Sequence, residues 1–239
     1  MYVHNTKLAL ALFLLLLPTL AEAKLSNFAS RSNFGVGIDG ILEAKPSSDF
    51  ATSPTSSASS ISHAFGIQPY GDFGNFVVKG DFSLHYAPDI SGGGTDATGK
   101  FTESSSSSVW SAGVILELIP YVAKSQRERI FLKFGAGEGK ATITNTRSYP
   151  AATNVEKDSG STEYYLAGAG YEFFLLQNYS LELGAGYESF NFGKFTYSSG
   201  TQVNGNTLVN GATVSKTSGG NKAFDLSGFY FNLGLNLHF

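Results

Sequence analysis

The chain has 239 residues, a formal net charge of −3 and no cysteine. Without cysteine there are no disulfides, no thiolate zinc sites, no thiol catalysis and no lipidated N-terminal cysteine, and without a basic stripe nucleic acid is not an expected partner. The chain carries 20 Phe and 12 Tyr beside 28 Gly, with charged residues at 15%. That composition is unusual for a water-soluble domain and suits a barrel with aromatic girdles and a crowded interior.

The N-terminus reads as a leader. Met1 to Lys7 is weakly basic, Leu8 to Leu17 is an apolar run, Pro18 breaks it, and Ala21-Glu22-Ala23 is an A-x-A-like cleavage site. At about ten apolar residues the run is too short to cross ~30 Å of hydrocarbon as a helix. The expected organisation is a cleaved secretory signal peptide over 1–23 and one domain over 24–239. No later stretch approaches the ~18 consecutive apolar residues that a transmembrane helix needs.

Segments of period-2 alternation then follow one another, each with an apolar and a polar or small face. The first, Asn33 to Glu43, sets Phe34, Val36 and Ile38 against Gly35, Gly37 and Asp39. The second, His63 to Gly71, is the weakest, with Phe65 and Ile67 outward and Pro69 expected near its end, because proline interrupts a sheet ladder. The third, Phe76 to Tyr86, sets Phe76, Val78, Phe82, Leu84 and Tyr86 against Val77, Lys79, Asp81, Ser83 and His85. The fourth, Ser108 to Ile119, points Trp110, Val114, Leu116 and Leu118 outward and Ser111, Gly113 and Glu117 inward. The fifth, Ile130 to Thr142, has Lys133, Gly135 and Gly137 inward. The sixth, Glu163 to Phe173, turns Tyr164, Gly168, Gly170 and Glu172 inward, and the seventh, Tyr179 to Phe190, does so with Ser180, Glu182, Gly184, Gly186 and Glu188. The eighth is the C-terminal stretch, with Phe229, Phe231, Leu233, Leu235, Leu237 and Phe239 on one face and Tyr230, Asn232, Gly234, Asn236 and His238 on the other.

Most of these segments have roughly 9–13 residues, the length of a tilted strand that crosses a bilayer. The connections alternate between short and long. Gly71–Asn75 and Phe174–Asn178 are tight and Pro120–Arg129 is somewhat longer, whereas 44–62, 87–107, 145–162 and 191–222 are long and polar. The pattern matches an up-and-down antiparallel transmembrane β-barrel, most simply of eight strands, with periplasmic turns and extracellular loops. The last loop is long enough for a further hairpin above the membrane, and Asn204-Gly205 and Asn210-Gly211 are turn signals.

On these segments the chain resembles the small bacterial outer-membrane β-barrel family, the OmpA/OmpX type. The sharpest point of resemblance is the C-terminal strand, where Asn232, Gly234, Leu237 and Phe239 have the spacing of an assembly signal. The resemblance implies chaperoned periplasmic transit, recognition by the barrel-assembly machinery, and a Gram-negative-type outer membrane with its lipid as surroundings. No peptidoglycan-binding domain is expected after the barrel. Gly168-Ala-Gly-Tyr-Glu172 and Gly184-Ala-Gly-Tyr-Glu188 nearly duplicate each other and read as neighbouring strands under one packing constraint.

The functional question falls on the lumen. Lys79, Asp81, Glu117, Lys133, Glu172, Glu182 and Glu188 all face inward in this register. An eight-stranded barrel is just wide enough for side chains to fill it, and buried charges must be paired. These residues are therefore expected to form a charge network that plugs the lumen, with Tyr164 and Tyr230 as possible partners and inward glycines making room. A narrow channel for small solutes is the alternative. A third reading, an outer-membrane lipid-modifying or proteolytic enzyme, requires His85 or His63 to sit beside a Ser or a carboxylate. Gly135-Ala-Gly-Glu-Gly-Lys140 fails as a phosphate loop, since Phe134 stands where the first glycine is required and Ala141 where Ser/Thr is. The expected role is structural or surface-interacting rather than enzymatic, with no cofactor or metal, and any extracellular ligand is expected at the loops.

Overall fold

A computed structural model describes residues 34–43, 47–50, 62–87, 89–176, 178–198, 202–203, 206–207, 209–216 and 219–239. The expected leader and Asn33 lie outside the described residues. Eight long strands form the barrel: β1 (Phe34–Glu43), β2 (Ser62–Asp72), β3 (Phe76–Tyr86), β4 (Gly99–Val122), β5 (Glu128–Ser148), β6 (Thr153–Leu176), β7 (Tyr179–Ser189) and β8 (Gly228–His238). Each is antiparallel to the next. β8 returns antiparallel to β1, with Val36 opposite Leu237 and Leu42 opposite Phe231, and closes the ring. Closure removes the free sheet edges that lipid could not hydrogen-bond.

The alternation settles which face is which. Phe231 is 64% exposed and Leu233 58%, whereas their neighbours Tyr230, Asn232 and Asn236 are buried. Phe82, Leu84, Trp110, Val114 and Leu183 are likewise exposed, and Lys79, Asp81, Glu117 and Glu182 are buried. The barrel is apolar outside and polar inside. A continuous apolar outer belt of this kind is a lipid-facing surface.

The strands are longer than the alternation alone indicates. Much of the expected polar loops 87–107 and 145–162 is strand. Ile90–Asp96 folds back on Gly99–Ser105, and β5 and β6 run on as a paired ribbon to Ser148 and Thr153. Beyond the apolar belt the outer face carries Ser106, Ser108, Thr142, Thr144, Ser159 and Ser161. Both sides of such a ribbon can be polar, so the alternation disappears while β-branched Thr and Ile still favour strand.

At the opposite end the expected connection Pro120–Arg129 contracts to a turn over 123–127 in which Gln126 has φ 56°. Arg129 therefore belongs to β5 and faces the lumen, buried. The turn from β2 to β3 uses Gly74 at φ 86°, with its N–H donating to Asp72 Oδ1 at 2.9 Å. Pro69 lies inside β2 rather than at its end. Its missing N–H shows in the ladder to β3, which pairs Ile67 with Phe82 and Tyr70 with Lys79 but skips the positions between.

The largest departure concerns the connection from β7 to β8, expected as a mainly polar hairpin rising from the barrel. Instead its described parts are folded into the barrel mouth. Asn191–Phe192 pairs with Phe224–Asp225, which pairs with Ser47–Ser48. Phe190, Phe192, Phe195, Val214, Phe224 and Leu226 pack with Phe50 against the inward Val109, Ala141, Ile143 and Tyr164 in one buried cluster. Of the two Asn-Gly signals, Asn210-Gly211 lies within the described residues. Gln202–Val203 pairs with Asn206–Thr207 around 204–205, which lie outside the described residues. At the second turn Gly211 has φ 83° and Ala212 N–H donates to Val209 O at 3.1 Å.

Inward glycines form slots for the large lumen side chains. Gly113 and Gly137 are cross-strand partners, and a Cβ on either would come within 2.5 Å of the Tyr164 ring or its hydroxyl. Gly168 and Gly186 are partners in the same way beneath the Tyr230 hydroxyl, which explains the repeated Gly-Ala-Gly-Tyr segment. Gly137→Ala is expected to cost about 1–3 kcal/mol, the usual penalty of overpacking. Gly40→Ala, at a position whose nearest atom lies 4.0 Å away, should change stability by no more than about 0.5 kcal/mol. Urea unfolding of the detergent-folded barrel, read by heat-modifiable gel migration, measures both.

Candidate functional site in the barrel lumen

The lumen is filled in layers. At the short-turn end, Arg129 Nη1 lies 2.7 Å from Asp72 Oδ2 and its Nε pairs with Glu172. Ser180 Oγ donates to Glu172 and lies 2.9 Å from His238 Nε2, and Tyr70 OH is 2.9 Å from His238 Nδ1. Phe174 covers Arg129 with its ring centroid 5.3 Å from the guanidinium.

The central layer is a four-membered ion network. Lys79 Nζ lies 2.8 Å from Glu117 and also pairs with Glu182. Lys133 Nζ lies 2.8 Å from Glu182 and 3.7 Å from Glu117. Asn232 Nδ2 donates to Glu182 at 3.1 Å, and Asn236 Nδ2 reaches Glu172 at 3.1 Å and Glu182 at 3.4 Å. β3, β4, β5 and β7 each place one charge here, so Glu182 pairs across the tube with Lys79 and Lys133 while Glu117 pairs with both from the strand between them. Phe131 lies beside both ammonium groups, 6.0 Å and 5.6 Å from its ring centroid.

Above it, Gln68 Nε2 donates to Asp39 at 3.1 Å and Asp81 at 3.4 Å, Ser83 Oγ to Asp81 at 2.9 Å, and Tyr164 OH to Asp81 at 2.6 Å. Next comes His85. Its Nδ1 is 2.6 Å from Glu43 Oε1 and its Nε2 2.9 Å from Ser111 Oγ, while Ser62 Oγ donates to the other Glu43 oxygen at 2.9 Å. A cavity of about 20 Å³, lined by Asp39, Gln68, Asp81, His85 and Glu188 among others, lies between these layers. That volume holds about one water. Phe190 caps the stack with its ring 5.2 Å from His85, and the aromatic cluster follows.

All seven residues singled out for the lumen face it and are buried. The structure joins Lys79, Glu117, Lys133 and Glu182 directly, and links Glu172 to Arg129 and to Asn236. It places Asp81 with Gln68, Ser83 and Tyr164, and Glu188 on the cavity wall. Four partners were missing from the sequence reading. Asp39 and Glu43 carried the signal, being inward by alternation, whereas Asp72 and Arg129 were hidden at element ends. Tyr164 bonds Asp81, but the Tyr230 hydroxyl has no hydrogen-bond partner among the described residues. His63 faces outward and stacks on Tyr86 with centroids 5.4 Å apart. Of the C-terminal positions, Asn232 and Gly234 face the lumen, Leu237 faces outward, and Phe239 is exposed with its N–H donating to Phe34 O at 2.9 Å.

A closed eight-stranded ring with an apolar outer belt and a filled polar lumen defines a small transmembrane β-barrel of outer-membrane type, the architecture that the resemblance implied. Among solved structures the chain is similar to Neisserial surface protein A, 12% identical over 87% of this chain and 98% of that one, with a TM-score of 0.43. It is also similar to the attachment invasion locus protein Ail of Yersinia pestis, at 14% identity over 87% and 99% with a TM-score of 0.41. The outer membrane protease OmpT of Escherichia coli shares 8% over 87% and 94%, with a TM-score of 0.45. No protein-family model and no curated protein matches the sequence.

Removing one member of a buried ion network leaves its partner charged and unpaired, which typically costs about 3–5 kcal/mol. Glu182→Leu leaves Lys79 and Lys133 short of their shared carboxylate and should lower unfolding stability by that amount. Lys216→Leu removes the half-exposed pair with Asp49 at 2.8 Å and should change it by less than about 1 kcal/mol. Denaturant titrations of the two variants side by side measure the difference.

Proposed function

We propose that this protein is a sealed structural barrel that holds a β-ribbon and its connecting segments at the bacterial surface for interaction with an extracellular partner. The observation that carries this reading is the lumen. Ion pairs cross it at two levels, Lys79 and Lys133 to Glu182 and Arg129 to Asp72, and an aromatic cluster fills its long-loop end. The channel alternative requires a continuous water path, whereas the cavity between these closures measures about 20 Å³, room for about one water.

On this reading residues 1–23 are a leader removed on export. Asn232, Gly234, Leu237 and Phe239 are read by the assembly machinery after chaperoned transit, the short turns face the periplasm, and the ribbon faces outward into the outer-leaflet surroundings. Planar-bilayer recording of the folded protein tests the seal. No steady unitary current is expected, and openings of reproducible size would replace the sealed barrel with the channel.

A second reading rests on one specific observation. Ser111, His85 and Glu43 stand in the order nucleophile, base and carboxylate at 2.9 and 2.6 Å, the array used in acyl transfer. Its surroundings oppose it. All three are buried under Phe190, and Asp81 and Glu188 stand nearby, where an oxyanion would be repelled. The network reading therefore leads, with His85 as a lumen tie between β1, β3 and β4. A fluorophosphonate probe on the folded barrel decides between them. No labelling is expected; covalent capture at Ser111, lost in His85→Ala, would establish the hydrolase.

A further inference from the structure

Asp158 lies on the inner face of β6, beyond the apolar belt and under the segment that closes the mouth. It is 0% exposed, and as a carboxylate neither of its oxygens meets an N–H or O–H donor among the described residues. Ile143 of β5 stands opposite it on one side and Tyr197 of the mouth segment on the other. Glu156, two residues along the same face, carries the neighbouring carboxyl, close enough to bond Asp158. The cation facing the pair is Lys222, 3.4 Å from Glu156 Oε1, with its ammonium 5.0 Å from the Phe50 ring centroid. Lys157 points to solvent, and Glu103 in the next layer is engaged by Asn145 at 2.9 Å and Arg147 at 3.2 Å.

Asp158 is fully buried beside the part-exposed Glu156 carboxylate, and the one ammonium facing them bonds Glu156, so burial and the neighbouring charge both favour a proton on Asp158. A proton there resolves the conflict, because the carboxylic acid then donates to the other carboxylate. The group holding that proton sits where the mouth segment is attached. Ser198 N–H donates to Lys157 O at 2.8 Å and Lys222 N–H to Val214 O at 3.1 Å.

We propose that Asp158 is a proton-held latch: its carboxyl shares a proton with Glu156 while the segment is seated, and loss of that proton frees residues 190–198 and 209–216 from the barrel mouth. The inference depends on the sealed-barrel reading only in treating this segment as the closure. Bilayer recording tests the seal, whereas the experiment below reports movement of the segment whether or not current flows.

Burial first, and then the Glu156 charge and its hydrogen bond, push the Asp158 carboxyl from its ordinary 3.8 up to about 8, with Lys222 opposing. The seated state therefore binds more protons than the released one between these two values. Closure is complete below the lower value, weakens as pH rises toward the upper one, and is constant beyond it. One linked proton changes the released fraction by at most about tenfold per pH unit.

The chain has no cysteine, so single reporters can be placed freely. Val214→Cys tags the buried cluster, and Val209→Cys, at a position 75% exposed, corrects for thiolate chemistry. Full-length barrels folded in detergent are reacted with a maleimide from about pH 5 to about pH 9, spanning the expected window. The labelling ratio of position 214 to position 209 is expected to rise with pH and level off near the upper value. Adding Asp158→Asn should hold the ratio low and flat. Adding Glu156→Gln removes the charge that raises the Asp158 carboxyl, so the rise should level off at lower pH. A flat ratio in the parent, an unchanged rise in Asp158→Asn, or an unshifted curve in Glu156→Gln overturns the latch. Heat-modifiable migration checks that each variant is folded.

Discussion

Every strand of this barrel has lipid on one side, so the charges it carries within the membrane belong on the other, inside the tube, where burial favours pairing. That constraint organises the rest. Lys79 and Glu182 are 103 residues apart in sequence, yet closure of the ring brings them into contact, with Lys133 and Glu117 completing the set. Such a network is weak evidence for net stability, since desolvating the ions offsets much of their attraction. Its stronger consequence is for register. A one-residue slip would turn a strand over and carry Lys79 and Asp81, or Glu182 and Glu188, into lipid, where a basic side chain at the midplane costs about 2–4 kcal/mol and an acidic one less.

This also explains which features could be read in the sequence. Where lipid lies outside and the lumen inside, the two faces differ in polarity at every step, so the inward positions of Lys79, Glu117 and Lys133 follow from alternation alone. The full set of partners does not, because Glu182 reaches Lys79 and Lys133, and Asp72 reaches Arg129, only when closure of the ring brings together strands that are not neighbours. Arg129 and Asp72 escaped because each sits at a strand end, where turn-like residues mask the last inward position. Above the belt water lies outside, the polarity contrast disappears, and Ser104 to Ser107 and Asn145 to Ser148 look like loop although they are paired strand.

The mouth segment was misread for a related reason. Its composition is polar on average, but Phe190, Phe192, Phe195, Phe224 and Leu226 are spaced so that a folded-back chain gathers them. An average over the segment hides such a pattern. The glycines carry the opposite lesson. Gly113, Gly137, Gly168 and Gly186 were legible as space-makers because they alternate in register with the inward charges, and the Tyr164 and Tyr230 rings occupy the room they leave.

Two chemistries thus close one tube, and they reinforce each other. Ion pairs occupy the middle, where no bulk water competes for them. The aromatic cluster keeps that condition from above, and lowering the local dielectric strengthens each pair beneath it. The ion layers in turn fix the positions of Tyr164 and His85, against which Phe190 packs. Asp158 breaks this division of labour. It is a carboxyl in the layer that excludes water, without a cross-lumen partner such as Asp81 and Glu182 have. A seal built from apolar contact has no intrinsic dependence on pH, and a fully paired ion layer has little. A buried acid that belongs to neither, seated beneath the closing segment, is where the proposed latch couples protons to the closure.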